Sequence, residues 1–304
     1  MAPFTFNEDD ITSFLSNFNE DNRLGTRFSS FGHVYKGYIP KNNRFSLLEQ
    51  PVAIKRSFDL TLEEQFKAEI EWLTKLEHPN IIRLIGHCQT NTNYFLVYEL
   101  AEMGSVEKHL KELSWEQTLK ILKGVVAAID YMHTFPGHVV HGDIKPGNIL
   151  LAADYEPKLG DFGCTRLEGE EGFEGVEGYC ISSQRDKKNA KRENDIYALG
   201  TTTLQLLMKQ NHMVNVGFNR EHIKLAVEEH ALAVSPRLKW SGCKKKHGER
   251  LKELALKSLP AMHRADYEFA TSGEWSLLVN SLNMDTFNKF KALLFKKITK
   301  HGHN

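Results

Sequence analysis

The 304-residue sequence predicts an α+β fold in two lobes, a small antiparallel-sheet lobe carrying one helix and a larger, mainly helical lobe. Three observations predict it. Apolar residues alternate at period two in the first third of the chain, helical spacing takes over beyond residue 104, and the turn-like run Ala101-Glu102-Met103-Gly104 separates the two regimes. The corresponding division is an N-terminal extension over 1–19, a small lobe over 20–97, a hinge over 98–104 and a large lobe over 105–304. A cleft between such lobes is where a ligand is expected.

In chain order, His33-Val34-Tyr35-Lys36-Gly37-Tyr38-Ile39 and Pro51-Val52-Ala53-Ile54-Lys55 alternate as strands, and Tyr94-Phe95-Leu96-Val97-Tyr98 is a short buried strand. Between them, residues 61–76 space Leu62, Phe66, Ile70 and Leu73 as one helix face, with Glu63, Glu64, Lys67, Glu69 and Glu71 largely on the others. Residues 115–134 and 194–209 carry the same periodicity, and 249–259 reads as a further helix. No internal repeat or Pro/Gly/Ser linker breaks the chain into separate units.

Composition narrows the function classes. Lysine plus arginine equals aspartate plus glutamate at 39 each, so no global field draws the protein to nucleic acid or anionic lipid. The longest apolar stretch, around Val125 to Ile129, is far short of the roughly 20 residues that cross a bilayer. The start has no basic leader, and Ala2 stands where acylation needs glycine. Cys88, Cys164, Cys180 and Cys243 form no CxxC pair, which points to a reduced, cytoplasmic protein. Charge is segregated locally: 168–177 holds five glutamates and no lysine or arginine, whereas 185–192, 237–252 and 289–300 are basic. Those basic stretches read as solvated surface.

The chemistry concentrates in four segments. Val52-Ala53-Ile54-Lys55 ends a strand on a lysine, and Glu69 follows on the helix. His141-Gly142-Asp143-Ile144-Lys145-Pro146-Gly147-Asn148 comes next, then Lys158-Leu159-Gly160-Asp161-Phe162-Gly163. Any one of these alone is an ordinary ion pair, cap or turn. All four in this order match a phosphoryl-transfer signature. A phosphoryl group in transfer spreads negative charge over its oxygens, so a site needs a cation for the phosphates, oxygen ligands for magnesium and a carboxylate facing the attacking hydroxyl. Lys55, fixed by Glu69, supplies the first; Asn148 and Asp161 suit Mg2+, a hard cation. Asp143 serves as base, with Lys145 beside it.

On these residues the sequence resembles the eukaryotic protein kinases over roughly residues 20–285. Leu24-Gly25, Phe31-Gly32-His33-Val34-Tyr35-Lys36-Gly37, Leu76-Glu77-His78-Pro79-Asn80-Ile81-Ile82 and Leu96-Val97-Tyr98-Glu99 followed by Gly104-Ser105 are similar to the group of interleukin-receptor-associated kinases, Pelle and plant receptor-like kinases. The resemblance implies ATP with Mg2+ as cofactors and a protein substrate or signalling partner. It makes Tyr98 the gatekeeper, gives Glu99 and Ala101 the adenine-facing hinge, puts Val34, Ala53 and Leu150 around the base, and keeps Gly32 in the phosphate-covering loop. Lys145 after Asp143 implies serine/threonine specificity. The alternatives are a pseudokinase or weakly active nucleotide-binding scaffold, and a small-molecule phosphotransferase, since His141-Gly142-Asp143 with Asn148 also resembles aminoglycoside and choline kinases.

The sequence departs from the family in several places. Arg27 and Ser29 stand where the loop has its first two glycines, and side chains there weaken phosphate contacts. Gly142 replaces the arginine that receives an activation-segment phosphate, and residues 166–181 contain no serine or threonine. Activity independent of phosphorylation in this segment is therefore expected. Ile181-Ser182-Ser183 replaces Ala-Pro-Glu, Ser272 replaces its arginine partner, and Val176 a threonine that contacts the catalytic loop. Asp195 is kept, and is expected to brace that loop. Cys164 reads as an inert buried thiol, His301 and His303 as a terminus without a third ligand, Lys244-Lys245-Lys246 as solvated surface, and Phe14, Phe18, Trp115, Trp240 and Trp275 as packing residues.

Overall fold

The computed structural model describes residues 2–15, 22–24, 32–171, 189–209, 250 and 271–281. The small lobe is a six-stranded sheet in the order β1-β5-β6-β4-β3-β2. Its strands are β1 (Phe4–Thr5), β2 (Arg23–Leu24), β3 (His33–Ile39), β4 (Gln50–Ser57), β5 (Leu84–Gln89) and β6 (Tyr94–Glu99). Neighbouring strands are antiparallel, as the alternation predicts, except that β1 pairs parallel to β5 through Phe4 and Gly86.

Register decides what faces the cleft. Val34 lies opposite Lys55, Lys55 opposite Leu96, and Ala53 opposite Tyr98, so these five share one face. Tyr35, Val52, Ile54, Phe95 and Val97 share the other face and build a separate small-lobe core with Ile39, Ile85 and Cys88. That core is roofed by helix α1 (Glu8–Phe14), which contributes Ile11 and Phe14, and by Phe6. A reciprocal cap opens α1: Asn7 Oδ1 accepts the Asp10 N–H at 2.9 Å, and Asp10 Oδ2 accepts the Asn7 N–H at 2.8 Å. Gly86 lets β1 approach, because a Cβ there would collide with Phe6 and the Phe4 carbonyl. Residues 4–15, which the sequence reading leaves outside the small lobe, are thus packed onto its sheet.

The predicted helix over 61–76 is a 3-10 turn, Leu60–Leu62, followed by α2 (Glu63–Lys75). Asp59 caps the turn by accepting the Thr61 N–H at 2.9 Å. Phe66, Trp72 and Leu73 of α2 join the large core, whose other members include Leu96 and Tyr98 of the sheet and the apolar stripe of the helix over 115–134. The lobes are also stitched by backbone. Ile82 N–H donates to Leu159 O at 2.9 Å and Leu159 N–H to Asn80 O at 2.8 Å.

Past the turn at 101–104 come β7 (Gly104–Ser105), α3 (Val106–His109) and α4 (Trp115–Thr134). Ser114 and Gln117 cap α4 reciprocally, and Leu119, Leu122, Val126, Ile129 and Met132 bury one side of it. Then follow β8 (Val139–Val140), β9 (Ile149–Leu151), β10 (Pro157–Leu159), β11 (Arg166–Leu167), α5 (Arg192–Met208) and α6 (Ser272–Ser281). β7, β9 and β10 form one small sheet and β8 with β11 another. Trp115 and Trp275 are buried, as expected of packing residues. The helix read over 249–259 lies outside the described residues, apart from helical Arg250.

Candidate active site

The face carrying Val34, Ala53 and Lys55 forms the ceiling of a cleft of about 340 Å³ between the lobes. Tyr98, Glu99 and Ala101 form its back wall, and Leu150, Asn148 and Asp161 its floor. Gly32, Glu69 and Lys145 also line it. Gly32 sits at φ 105°, and a Cβ there would collide with the Arg56 carbonyl, so only glycine fits where β3 begins. Sequence reasoning did not assign Leu24 and Ile82 to the site, though both stand in its quoted motifs; they complete the apolar walls.

Lys55 joins the two lobes. Its Nζ donates to Glu69 Oε2 at 2.9 Å and to Asp161 Oδ1 at 2.8 Å. Burial alone would lower the lysine pKa, but Asp161 and Glu69 outweigh it and hold the ammonium above its ordinary range. Burial would raise Asp161; Lys55 reverses that and keeps it an anion. Glu69 Oε1 also accepts the Phe162 N–H at 3.4 Å. Phe162 is fully buried, with its ring edge-on to His141 at 4.7 Å. The hinge is anchored from outside the cleft: Glu99 Oε1 accepts the Arg83 N–H at 3.0 Å and lies 3.2 Å from Lys158 Nζ. Tyr98 is buried beside this network, and desolvation with the Glu69 charge pushes its phenol well above the usual range.

Below the cleft, Asp143 is only 1% exposed. Lys145 Nζ donates to both its carboxylate oxygens, at 2.9 and 2.7 Å. Asn148 Nδ2 donates to its carbonyl at 2.9 Å and to Oδ2 at 2.7 Å. Burial raises the Asp143 pKa despite Lys145, and the Asp161 charge adds to the rise. His141 Nδ1 accepts the Asp143 N–H at 3.1 Å while Nε2 faces Gly160 O at 3.2 Å, an arrangement that places the proton on Nε2.

Asp195, fully buried near the start of α5, holds this loop from beneath. Its Oδ2 accepts the His141 N–H at 2.8 Å, its Oδ1 the Gly142 N–H at 2.9 Å, and His133 Nε2 lies 3.0 Å from Oδ2. The brace expected of Asp195 is present, and His133 is a partner the sequence did not announce. Cys164 is half-buried rather than fully buried, and its thiol is pushed up to about 12, chiefly by desolvation, which fits an inert cysteine. Ser272 opens α6. Arg27, Ser29, Val176, Ile181-Ser182-Ser183, Trp240, Lys244-Lys245-Lys246, His301 and His303 lie outside the described residues.

Residues 18–271 match the protein kinase domain family. The chain is 32% identical over 219 residues to the L-type lectin-domain containing receptor kinase IX.1 of Arabidopsis thaliana, covering 68% of this chain and 32% of that protein. It is 34% identical over 222 residues to the probable serine/threonine-protein kinase PBL8 of the same plant, covering 68% and 53%, and 34% identical over 248 residues to PBL21, covering 73% and 62%. The chain therefore spans between about a third and three fifths of the length of these curated relatives.

Proposed function

Because the chain belongs to the protein kinase domain family, we propose that it is a serine/threonine protein kinase, transferring the γ-phosphoryl of ATP to protein hydroxyls in intracellular signalling. The observation that carries the reading is the Lys55 ammonium held between Glu69 on α2 and Asp161 on the large lobe, above an Asp143 carboxylate already clasped by Lys145 and Asn148. A scaffold that only bound nucleotide would not require the last cluster. The names of PBL8 and PBL21 support protein hydroxyls over small molecules.

The donor set fits the cofactors. Asn148 spends its amide nitrogen on Asp143, and no hydrogen bond to its side-chain Oδ1 is seen among the described residues; that oxygen and the Asp161 carboxylate would hold Mg2+. The apolar side chains of Val34, Ala53 and Leu150 suit an adenine ring, with the hinge backbone at Glu99 and Ala101 beside it. Magnesium-bound ATP supplies the phosphoryl group and the charge that screens its oxygens. Lys55, fixed by Glu69, orients the phosphates. Asp143 accepts the proton of the substrate hydroxyl at its carboxylate, and Lys145 stabilises the charge that develops nearby.

The proposed unit spans residues 20–304, divided into lobes at 98–104, and a cytoplasmic setting belongs to the proposal. Among the described residues no helix is long and apolar enough to cross a membrane. The test is incubation of the purified chain with labelled ATP, magnesium and generic protein substrates beside Asp143→Asn and Lys55→Met. Transfer lost in both variants is expected. Transfer that survives both, or is absent from the parent while ATP still binds, overturns the reading.

A further inference from the structure

The first turn of α5 holds two segments at once. Asp195 grips the loop at 141–142, and three residues earlier Arg192 reaches the segment that leaves Phe162-Gly163. Arg192 Nε lies 3.0 Å from Glu168 Oε2, and the Arg192 N–H approaches Glu168 Oε1 at 3.5 Å. The surrounding backbone is sewn in the same place. Glu168 N–H donates to His138 O at 2.8 Å, Gly169 N–H to Ala190 O at 2.8 Å, and Ala190 N–H back to Glu170 O at 2.9 Å. Glu170 Oε2 then accepts the Leu167 N–H at 2.8 Å. Partial burial alone would raise the Glu168 pKa; the Arg192 contacts outweigh it and hold the carboxyl below the usual glutamate range.

This seam bears on Asp161. That residue is held at φ 64° and ψ 72°, a left-handed conformation that persists in a non-glycine residue when its surroundings over-determine it. On one side Lys55 holds its carboxylate. On the other, the chain is fixed at Thr165, whose Oγ1 donates to His141 O at 3.2 Å, and then at the Glu168 seam. Gly142 offers no side chain to this region, and the neighbouring Arg166 guanidinium is turned onto the Gly163 and Thr165 carbonyls. Arg192 is the cation that Glu168 meets.

We propose that Glu168 and Arg192 form a built-in clamp, a positioning pair that orders residues 162–171 behind Asp161 with an encoded carboxylate, so that holding Asp161 in place for phosphoryl transfer to protein does not wait on a phosphate. The proposal rests on the kinase reading and names how that same site is regulated. It requires the pair to act through its opposite charges, in either orientation.

The test compares the full chain with Glu168→Gln, Arg192→Gln and the reversed pair Glu168→Arg/Arg192→Glu, all after phosphatase treatment. Three quantities are measured: hydrogen exchange of the amides at 166–171, the Kd for ATP with magnesium, and kcat and KM on a generic peptide substrate. In each single variant kcat is expected to fall about three- to tenfold and exchange at 166–171 to quicken, with Kd unchanged; the reversed pair recovers both. The parent keeps its rate after phosphatase. Single variants with parental exchange and rate, a reversed pair that recovers neither, or loss of parental activity on dephosphorylation overturns the clamp. If the parent transfers no phosphoryl group, the kinase reading fails, while exchange in the single and reversed variants still judges the pair.

Discussion

Asp195 and Arg192 sit within one turn of the same helix and each fixes a stretch of chain beside the cleft, but they do so at opposite exposures. The Asp195 side chain is fully buried and accepts two backbone N–H groups besides its contact with His133. The Arg192 and Glu168 side chains are 42% and 27% exposed. A buried carboxylate whose donors are all protein groups is costly to remove, because each orphaned donor keeps its desolvation penalty. An exposed pair contributes little and is screened by salt. The loop carrying Asp143 is therefore part of the fold, whereas the stretch at Glu168 is held on terms that its surroundings can alter.

The contrast can be broken most directly at its strong end. Asp195→Ala leaves the His141 and Gly142 N–H groups and His133 unpaired in the core, and stability measured by denaturant is expected to fall by about 3–5 kcal/mol. Arg192→Ala is expected to cost less than about 1 kcal/mol. Equal losses would erase the distinction. Asp143→Asn removes the proposed base without disturbing the hydrogen bonds of Asp195, so kcat is expected to fall about 10²- to 10⁴-fold with the unfolding midpoint little changed.

The pH profile sharpens the same point. Burial raises the Asp143 pKa, so kcat/KM should rise with pH through a value above 3.8, the ordinary aspartate figure, as the carboxylate loses its proton. Glu168 is shifted the other way. Its clamp is complete above the unfolded glutamate value of 4.5 and is lost as pH falls through the lower folded value. Glu168→Gln should therefore leave the Asp143 limb where it is; a limb that moves with it would show the two segments to be one cooperative unit. The smallest effect is expected from salt. Raising ionic strength from 0.1 to 1 M shortens the screening length from about 10 to about 3 Å. Amides at 166–171 should then exchange faster by less than about fivefold, with those of His141 and Gly142 unchanged.

Much of the cluster was legible because its motifs single out Lys55, Glu69, Asp143, Asn148 and Asp161 in a fixed order, and the fold brings them together around one cleft. The strands and helices with long apolar periods were legible too, and α4 begins and ends where its pattern does. What escaped depends on long-range register. Phe4 and Phe6 alternate and Asn7 with Asp10 spells a helix start, yet nothing local says that this segment will lie beside Gly86 rather than apart. Glu168 is one of five glutamates in a run, and no local rule singles it out as the one facing Arg192. His133 reads as one more residue on the buried side of α4 until α5 is placed against it.

The parallel pairing of Phe4 with Gly86 also sets an order of events during synthesis. The two partners are separated by about 80 residues, and at translation rates of about 5–20 residues per second roughly 4 to 16 s pass between making one and making the other. For that interval β1 has no β5 to pair with, and Phe6, Ile11 and Phe14 have at most the β3–β4 hairpin to cover, without Ile85, Cys88, Phe95 and Val97 of the finished core. Closing so long a loop also costs entropy before any contact repays it, which makes this edge strand a late element of the small lobe. Strand β1 is thus made before the rest of the sheet and is among the last of its strands to be laid.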